Sequence, residues 1–313
     1  KKIKKVFNYM QSEKTDLIYI QNSESIAWLL NLRGADLEFT PIILSNAIIS
    51  KKKIYLFLED ENIPYQVKKR LEKYVNFLNK KQFESTLRKL VKKKFKIMTD
   101  NKSISIYNFK ILKKYSENIC IKDDVLQSYK SIKNITEIKC FKKAHLLDGK
   151  AFCKFLFWFK ERKKPISELD IVKKIDNLRS ENNGFLSRSF PTIAGSGPHG
   201  AIIHYQANMK TNRVLNNNDI LLIDSGAQYL FGTTDITRTI NRGKVSKEQI
   251  LDYTLVLKGH LIINLAKFPF GVRGNFLDFI ARQHLWNFGK DYSHSTGHGI
   301  GFCLNVHEGP FSI

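Results

Sequence analysis

Cysteine is scarce: four residues in 313, Cys120, Cys140, Cys153 and Cys303, with no Cys-x-x-Cys spacing among them. That excludes a zinc knuckle or a disulfide scaffold, and leaves reduced, mostly buried thiols as the expectation. Long apolar runs are also missing. The longest, around 42–49 and 151–159, fall well short of the ~18–20 residues a membrane span needs. The basic start, Lys1-Lys2-Ile3-Lys4-Lys5, has no apolar h-region behind it and so does not read as a secretory signal. There is no short-period repeat and no low-complexity linker. Acidic residues are in deficit, 29 against 52 Lys+Arg, for a net charge of +23. With 42% hydrophobic and 12% aromatic residues there is enough apolar side chain for a core, so the excess charge does not mark a disordered tail.

The charge raises the question of nucleic acid. Residues 1–132 hold 27 basic and 14 acidic residues (+13), and residues 133–313 hold 25 and 15 (+10), so the excess is spread along the chain. Most of it is Lys, the weaker residue for bidentate base or phosphate recognition. Runs such as Lys51-Lys52-Lys53 and Lys92-Lys93-Lys94 adjoin apolar segments, where hairpin tips and exposed helix faces belong. The pattern reads as a solvated, Lys-biased surface, with no nucleic-acid partner and no membrane.

The length predicts about two domains. Residues 1–132 alternate strand-like with helix-like segments. Strands are expected at 16–20, 95–98 and 118–121, with a hairpin from 42–49 and 54–58. Helices are expected around 26–30, from Pro64 through Val67, Leu71, Tyr74 and Val75, and over Phe83, Leu87, Leu90 and Val91. Such alternation implies an α/β domain on a parallel or mixed sheet. A second unit begins near Lys133. Asn134 with Glu137 reads as an N-cap and its box partner. A helical stripe follows through Ile138, Phe141, Ala144, His145, Ala151, Phe152, Phe155 and Trp158, and a second through Leu169, Val172, Ile175 and Leu178. From residue 190 strands and Gly-rich turns take over, at 201–205, 220–224 and 234–240, before helices at 253–265 and 277–286.

The polar candidates cluster late. His204 ends the run Ala201-Ile202-Ile203, and Asp224 ends Ile220-Leu221-Leu222-Ile223. A carboxylate closing so apolar a strand is unfavourable unless paired or bound to metal. Asp235 lies eleven residues on, past Gly226 and Gly232, where two antiparallel strands would bring the carboxylates together. Close carboxylates repel, and a divalent cation relieves that. Oxygen donors suit Mn²⁺ or Mg²⁺, and an added imidazole shifts the choice towards Mn²⁺, Co²⁺ or Zn²⁺. One such Asp alone reads as a turn or capping residue. His294, His298 and His307 lie within fourteen residues, and the glycines at 297, 299 and 301 argue for a looped segment over a helix.

Several motifs, in order, resemble one family. Phe190-Pro191-Thr192-Ile193 and Gly197-Pro198-His199-Gly200-Ala201-Ile202-Ile203-His204-Tyr205 are similar to the start of the catalytic core of aminopeptidase P, a pita-bread-fold metallopeptidase. Asp224-Ser225-Gly226-Ala227-Gln228-Tyr229 and Gly232-Thr233-Thr234-Asp235-Ile236-Thr237-Arg238-Thr239 resemble its two metal-binding aspartate motifs. Ser295-Thr296-Gly297-His298-Gly299-Ile300-Gly301 and Leu304-Asn305-Val306-His307-Glu308-Gly309-Pro310 resemble its histidine block. Ile26-Ala27-Trp28-Leu29-Leu30-Asn31-Leu32-Arg33-Gly34-Ala35-Asp36 resembles the middle domain of the three-domain cytosolic form.

The resemblance implies a creatinase-N-like α/β domain over 1–132, then a pita-bread catalytic domain over 133–313. It implies release of the N-terminal residue from peptides with proline second, in the cytoplasm, by a homodimer using two divalent ions, Mn²⁺ by expectation. Asp224 would bind one metal, Asp235 bridge both and His298 ligate. His204 would hydrogen-bond near the scissile bond, and His294 and His307 would orient substrate or stabilise the tetrahedral intermediate. Rival readings are a dipeptidase for Xaa-Pro or an amidinohydrolase of the same fold, and a non-catalytic pita-bread module binding peptides or histones. The joint presence of Asp224, Asp235 and His298 disfavours the last.

The family completes its metal site with two glutamates beyond the histidine block. The chain stops at Ile313, and Glu308 does not match those ligand positions. It also starts on Lys. The expectation is a fragment cut at both ends, with a catalytic domain incomplete at its C-terminus. Three ligands leave two cations short of charge and coordination. Calorimetric titration of the 313-residue chain with Mn²⁺ is therefore expected to show weak, substoichiometric binding. Tight uptake of two ions would refute that expectation.

Overall fold

The structure is a computed structural model, which describes residues 1–59 and 63–313. The chain divides into two units, Lys1–Ile132 and Lys133–Ile313. The first runs α1 (Lys2–Ser12), β1 (Leu17–Ile20), α2 (Ser23–Leu30), β2 (Ser45–Ser50), β3 (Ile54–Leu58), α3 (Tyr65–Leu71), β4 (Val75–Asn79), a 3₁₀ turn at Lys80–Gln82, α4 (Phe83–Leu90), β5 (Lys96–Thr99), α5 (Ile106–Tyr115), β6 (Asn118–Ile121) and α6 (Val125–Ser131). The six strands form one sheet in the order β4-β3-β2-β1-β5-β6. β2 runs antiparallel to both its neighbours, and the other pairings are parallel. All four residues of β1 are buried, the signature of a strand covered on both faces. Leu17, Tyr19, Ile48 and Phe57 of the sheet pack with Phe83 and Leu87 of α4 and Leu112 of α5. One expectation fails here. Val75 opens β4, pairing with Ile54, instead of extending the preceding helix. The i+3/i+4 spacing carries past Leu71 by coincidence, because a β-branched residue at the start of an edge strand satisfies the same pattern.

The second unit begins with α7 (Ile135–Glu161), capped by Asn134 and its box partner Glu137, and α8 (Glu168–Ser180), capped by Ser167 with Asp170. Strands follow: β7 (Phe185–Arg188), β8 (Ile193–Ser196), a 3₁₀ turn at Gly197–Ala201, β9 (Ile220–Ser225), β10 (Ala227–Tyr229), β11 (Gly232–Thr233) and β12 (Ile236–Asn241). Then come α9 (Lys247–Leu265), α10 (Gly274–Trp286), β13 (His298–Gly299) and β14 (Glu308–Ser312). Three small sheets result, β12-β9-β8, β11-β10-β7 and β13-β14. The core is the meeting of Phe155 and Phe159 from α7, Ile171 and Ile175 from α8, and Leu221 and Ile223 from β9. Each such fully buried side chain contributes about 1.5–3 kcal/mol. No helix among the described residues is long and apolar enough to cross a membrane.

Two further expectations are corrected. Residues 201–205 are not a strand: they leave a 3₁₀ turn, Ile202 and Ile203 are exposed, and His204 has φ +54°. The apolar run faces solvent, so strand pairing has nothing to bury there. Nor are the thiols mostly buried. Cys153 is exposed, Cys120 and Cys140 are half-buried, and Cys303 is the buried one. Cys153 sits one position off the α7 stripe through Asp148, Ala151, Phe152, Phe155 and Phe159.

That stripe includes a carboxylate. Asp148 is fully buried and takes a bidentate ion pair from Arg179 of α8, Nε to Oδ1 at 2.8 Å and Nη2 to Oδ2 at 2.9 Å. The Tyr229 hydroxyl donates to Asp148 Oδ1 at 2.9 Å. Replacing Asp148 with Ala strands a buried guanidinium, and the expected loss is about 3–5 kcal/mol of stability. Urea unfolding reads it, and an unshifted midpoint would show that the pair holds nothing.

Candidate functional site

β9 alternates. Leu221 and Ile223 point into the core, so Asp224 falls on the opposite face with Leu222. After Ser225 the chain turns at Gly226, runs out and back through the β10–β11 ladder, and re-enters the β9 sheet as β12. The return is tight. A Cβ on Gly226 would lie 2.0 Å from Thr234 O and 2.3 Å from Ser189 Oγ, so only glycine lets these segments touch. Ser189 Oγ donates to Thr234 O, Thr234 N to Ala227 O, and Ala227 N to Thr234 Oγ1. The crossing sets Asp235 immediately before β12. Thr237, opposite Asp224 in the ladder, donates its hydroxyl to Asp224 Oδ1 at 2.7 Å.

The register that pairs Ile236 with Ser225 and Thr237 with Asp224 places Asp235 beside the end of β9 that carries Asp224. Burial pushes the Asp224 carboxyl up to about 6, against the pull of the Thr237 hydroxyl, and the charge of Asp235 and a hydrogen bond with it add to the rise. His298 Nε2 lies 3.4 Å from Asp235 Oδ2, and its Nδ1 lies 2.9 Å from Gly299 O. The hydrogen bond to Asp235 raises the His298 pKa above the ordinary imidazole value, with burial opposing. His298 opens β13 and His307 immediately precedes β14, and their rings meet edge to face at 4.2 Å. Burial and then the neighbouring His298 push His307 the other way, below the ordinary value. His204 faces His307 with ring centroids 6.5 Å apart. Asp224, Asp235, His298, His307 and His204 thus form one line of contacts.

His294 makes its contacts elsewhere. Its ring stacks on Tyr292 at 4.7 Å, and its Nδ1 lies 2.8 Å from Ser295 O. Its loop is held from α10. Arg282 donates to His294 O, Tyr292 O and Asp291 Oδ1, and its guanidinium lies 4.0 Å from the Tyr292 ring centroid. Asp278, one turn earlier, pairs with Arg282 at 2.8 Å and accepts from Thr296 Oγ1. Glu308 is buried and paired with Lys133. The block around His307 is fixed from β10, where Gln228 Nε2 donates to Leu304 O at 2.8 Å.

Thr237, Arg282, Arg179 and a buried carboxylate, Glu168, support the site, and sequence reasoning did not single them out. A signal existed for two of them. Glu168, Ile171, Ile175 and Leu178–Arg179 recur at the 3–4 spacing of one helix face, so charged residues occupy positions where apolar ones are expected. The donor set, two carboxylates and an imidazole, has the chemistry of a divalent-cation site. Among the described residues, no group of three or more His, Cys, Asp or Glu stands ready to hold an ion, the contacts being pairwise.

Residues 139–313 match metallopeptidase family M24, and residues 1–137 match the creatinase/prolidase N-terminal domain. Xaa-Pro aminopeptidase 1 of Dictyostelium discoideum is 38% identical over 319 residues, covering 100% of this chain and 50% of that protein. The crystal structure of an X-prolyl aminopeptidase from Caenorhabditis elegans, described as a cytosolic enzyme with a di-nuclear active site, superposes with TM-score 0.93 at 33% identity, over 100% of this chain and 52% of that one. An Xaa-Pro dipeptidase from Bacillus anthracis shares the fold, at TM-score 0.78 and 24% identity, over 99% of this chain and 83% of that one. The chain spans about half the length of the curated relatives it matches.

The α10 anchor gives a pH test. Burial raises the Asp278 pKa, but the Thr296 hydroxyl and Arg282 outweigh it and hold the carboxyl below its ordinary 3.8. A depressed carboxyl stabilises fully above the unfolded value and loses that contribution as pH falls through the folded one. The stability gap between the protein and Asp278→Asn should stay constant above about pH 5 and narrow below about pH 4. Urea midpoints measured across that range check it; a gap that widens on acidification contradicts the assignment.

Proposed function

Because the chain belongs to metallopeptidase family M24, we propose that it is the metal-binding part of an Xaa-Pro aminopeptidase, which releases the N-terminal residue from peptides with proline second. One observation carries the reading: three separate stretches deliver Asp224, Asp235, His298, His307 and His204 into a single line of contacts. Two carboxylates brought together against their own repulsion are costly to fold unless a cation belongs between them.

In this reading Asp224, Asp235 and His298 would hold the metal ions, Asp235 as the ligand common to both and His298 through Nε2, since its Nδ1 is engaged by Gly299 O. When bound, the cations supply a Lewis acid for the scissile carbonyl and acidify water. The chain's own residues do the rest. Thr237 orients the Asp224 carboxylate. His204 hydrogen-bonds near the scissile bond, and His307 and His294 orient the peptide or stabilise the tetrahedral intermediate. A second-position proline makes the scissile amide tertiary, with no N–H to donate, so recognition rests on the shape of its ring. Manganese, a homodimer and a cytosolic location complete the proposal.

The test uses a chain extended to the length of the relatives. Asp235→Asn should reduce bound metal to background and lower turnover of an Arg-Pro peptide by at least ~10²-fold. Elemental analysis and a peptide-release assay read the two; undiminished metal and turnover would sink the proposal.

A further inference from the structure

His204 sits in left-handed backbone at φ +54°, a conformation unfavourable for a non-glycine residue. No strand or helix holds it: the preceding 3₁₀ turn ends at Ala201, and its neighbours Ile202 and Ile203 are exposed. Such a conformation persists only where the surroundings over-determine it. The residue that follows supplies the anchor. Tyr205 is buried, its N donates to Ile202 O, and its hydroxyl donates to Glu168 Oε2 at 2.8 Å.

Glu168 is fully buried in the first turn of α8. Its Oε1 accepts from Ser196 N at 2.8 Å and Ser196 Oγ at 3.0 Å, and both oxygens lie within 3.0 Å of His199 Nδ1. Its Oε2 also accepts from Arg213 N at 3.2 Å. One carboxylate therefore ties β8, the 3₁₀ turn and the return of the loop at Arg213 to the residue beside His204. The His199 ring lies on Tyr205 at 4.4 Å and closes the same anchor. Burial opposes the charge, but these bonds outweigh it, and Glu168 stays below the ordinary carboxylate range.

We infer that Glu168 is the positioning residue of His204: through Tyr205 and the two ends of the loop it fixes the imidazole that faces His307. The inference deepens the peptidase reading and rests on it for the role of His204. Glutamine in place of Glu168 puts an amide donor against donors, and the Arg213 N–H cannot reverse to accept one. Tyr205→Phe removes the hydroxyl's bond to Glu168 and its contacts with Thr211 O at 3.2 Å and Thr211 Oγ1 at 3.4 Å but leaves the carboxylate its other donors, so it tests the link if Glu168→Gln does not fold.

In the 313-residue protein, the imidazole ¹H–¹³C resonances of His204 should move and broaden in Glu168→Gln and, less, in Tyr205→Phe, while those of His294 stay in place. In the extended, active chain, either variant should lower kcat with KM little changed, by roughly 10-fold or more for Glu168→Gln. Added to His204→Ala, Glu168→Gln should cost nothing further, because both act through one imidazole. Unmoved His204 resonances beside a lowered melting temperature, or kinetic losses that multiply in the double variant, would overturn the inference. If His204→Ala alone leaves turnover intact, the peptidase role of His204 fails, and the resonance experiment still decides whether Glu168 positions it.

Discussion

The bidentate pair between Arg179 and Asp148 is the constraint on which the second unit is built. It joins α7 to α8 where water is excluded, and it reaches the strands as well: Arg179 Nη2 lies 3.3 Å from Ser225 O, and Tyr229 donates to Asp148. Ser225 follows Asp224, and Tyr229 belongs to the ladder that leads back to Asp235. The helix pair and the carboxylate-bearing turn are thereby referred to one buried charge pair. Buried ions are poor stabilisers compared with apolar packing, but they tolerate only one geometry. Here that geometry is the one that sets the crossing between β9 and β12.

The same device recurs. Glu168 gathers the loop of His204, and Arg282 gathers the loop of His294. In each case a charged side chain leaves a helix, where its own backbone is rigid, and collects main-chain groups from irregular segments. Loops that must carry polar functional groups cannot be held by apolar packing, since they bury little. Hydrogen bonds to a charged centre, each worth about 1.5–3 kcal/mol, hold them instead.

Much of this was readable in the amino-acid sequence. Asp224 at the end of an apolar strand, Asp235 after two glycines, and three histidines among glycines announced a polar site, and the ordered motifs pointed to its family. The elements with clear periodicity were legible too, including the α7 cap at Asn134 and Glu137. What failed has physical causes. Ile202 and Ile203 look like strand residues, but their side chains face solvent, and periodicity does not report burial. Val75 continues a helical spacing only by accident of where β4 starts. The anchors were harder to read: Glu168 and Arg179 showed only as charges on an apolar helix face, and most partners of Glu168, Arg179 and Arg282 are backbone atoms or residues far along the chain, which spacing does not reveal.

Gly226 limits what sequences are able to encode this site. Its missing side chain is the space through which two strands pass within van der Waals reach, so even a methyl group would drive the β9 turn off Thr234. Most positions in a protein accept drift, because a neighbour moves by a few tenths of an ångström. This one meets main chain on the far side, and main chain there is already committed to Ala227 and Ser189. The glycine between Asp224 and Asp235 therefore has to stay a glycine, and a residue with no functional group becomes a requirement of the site.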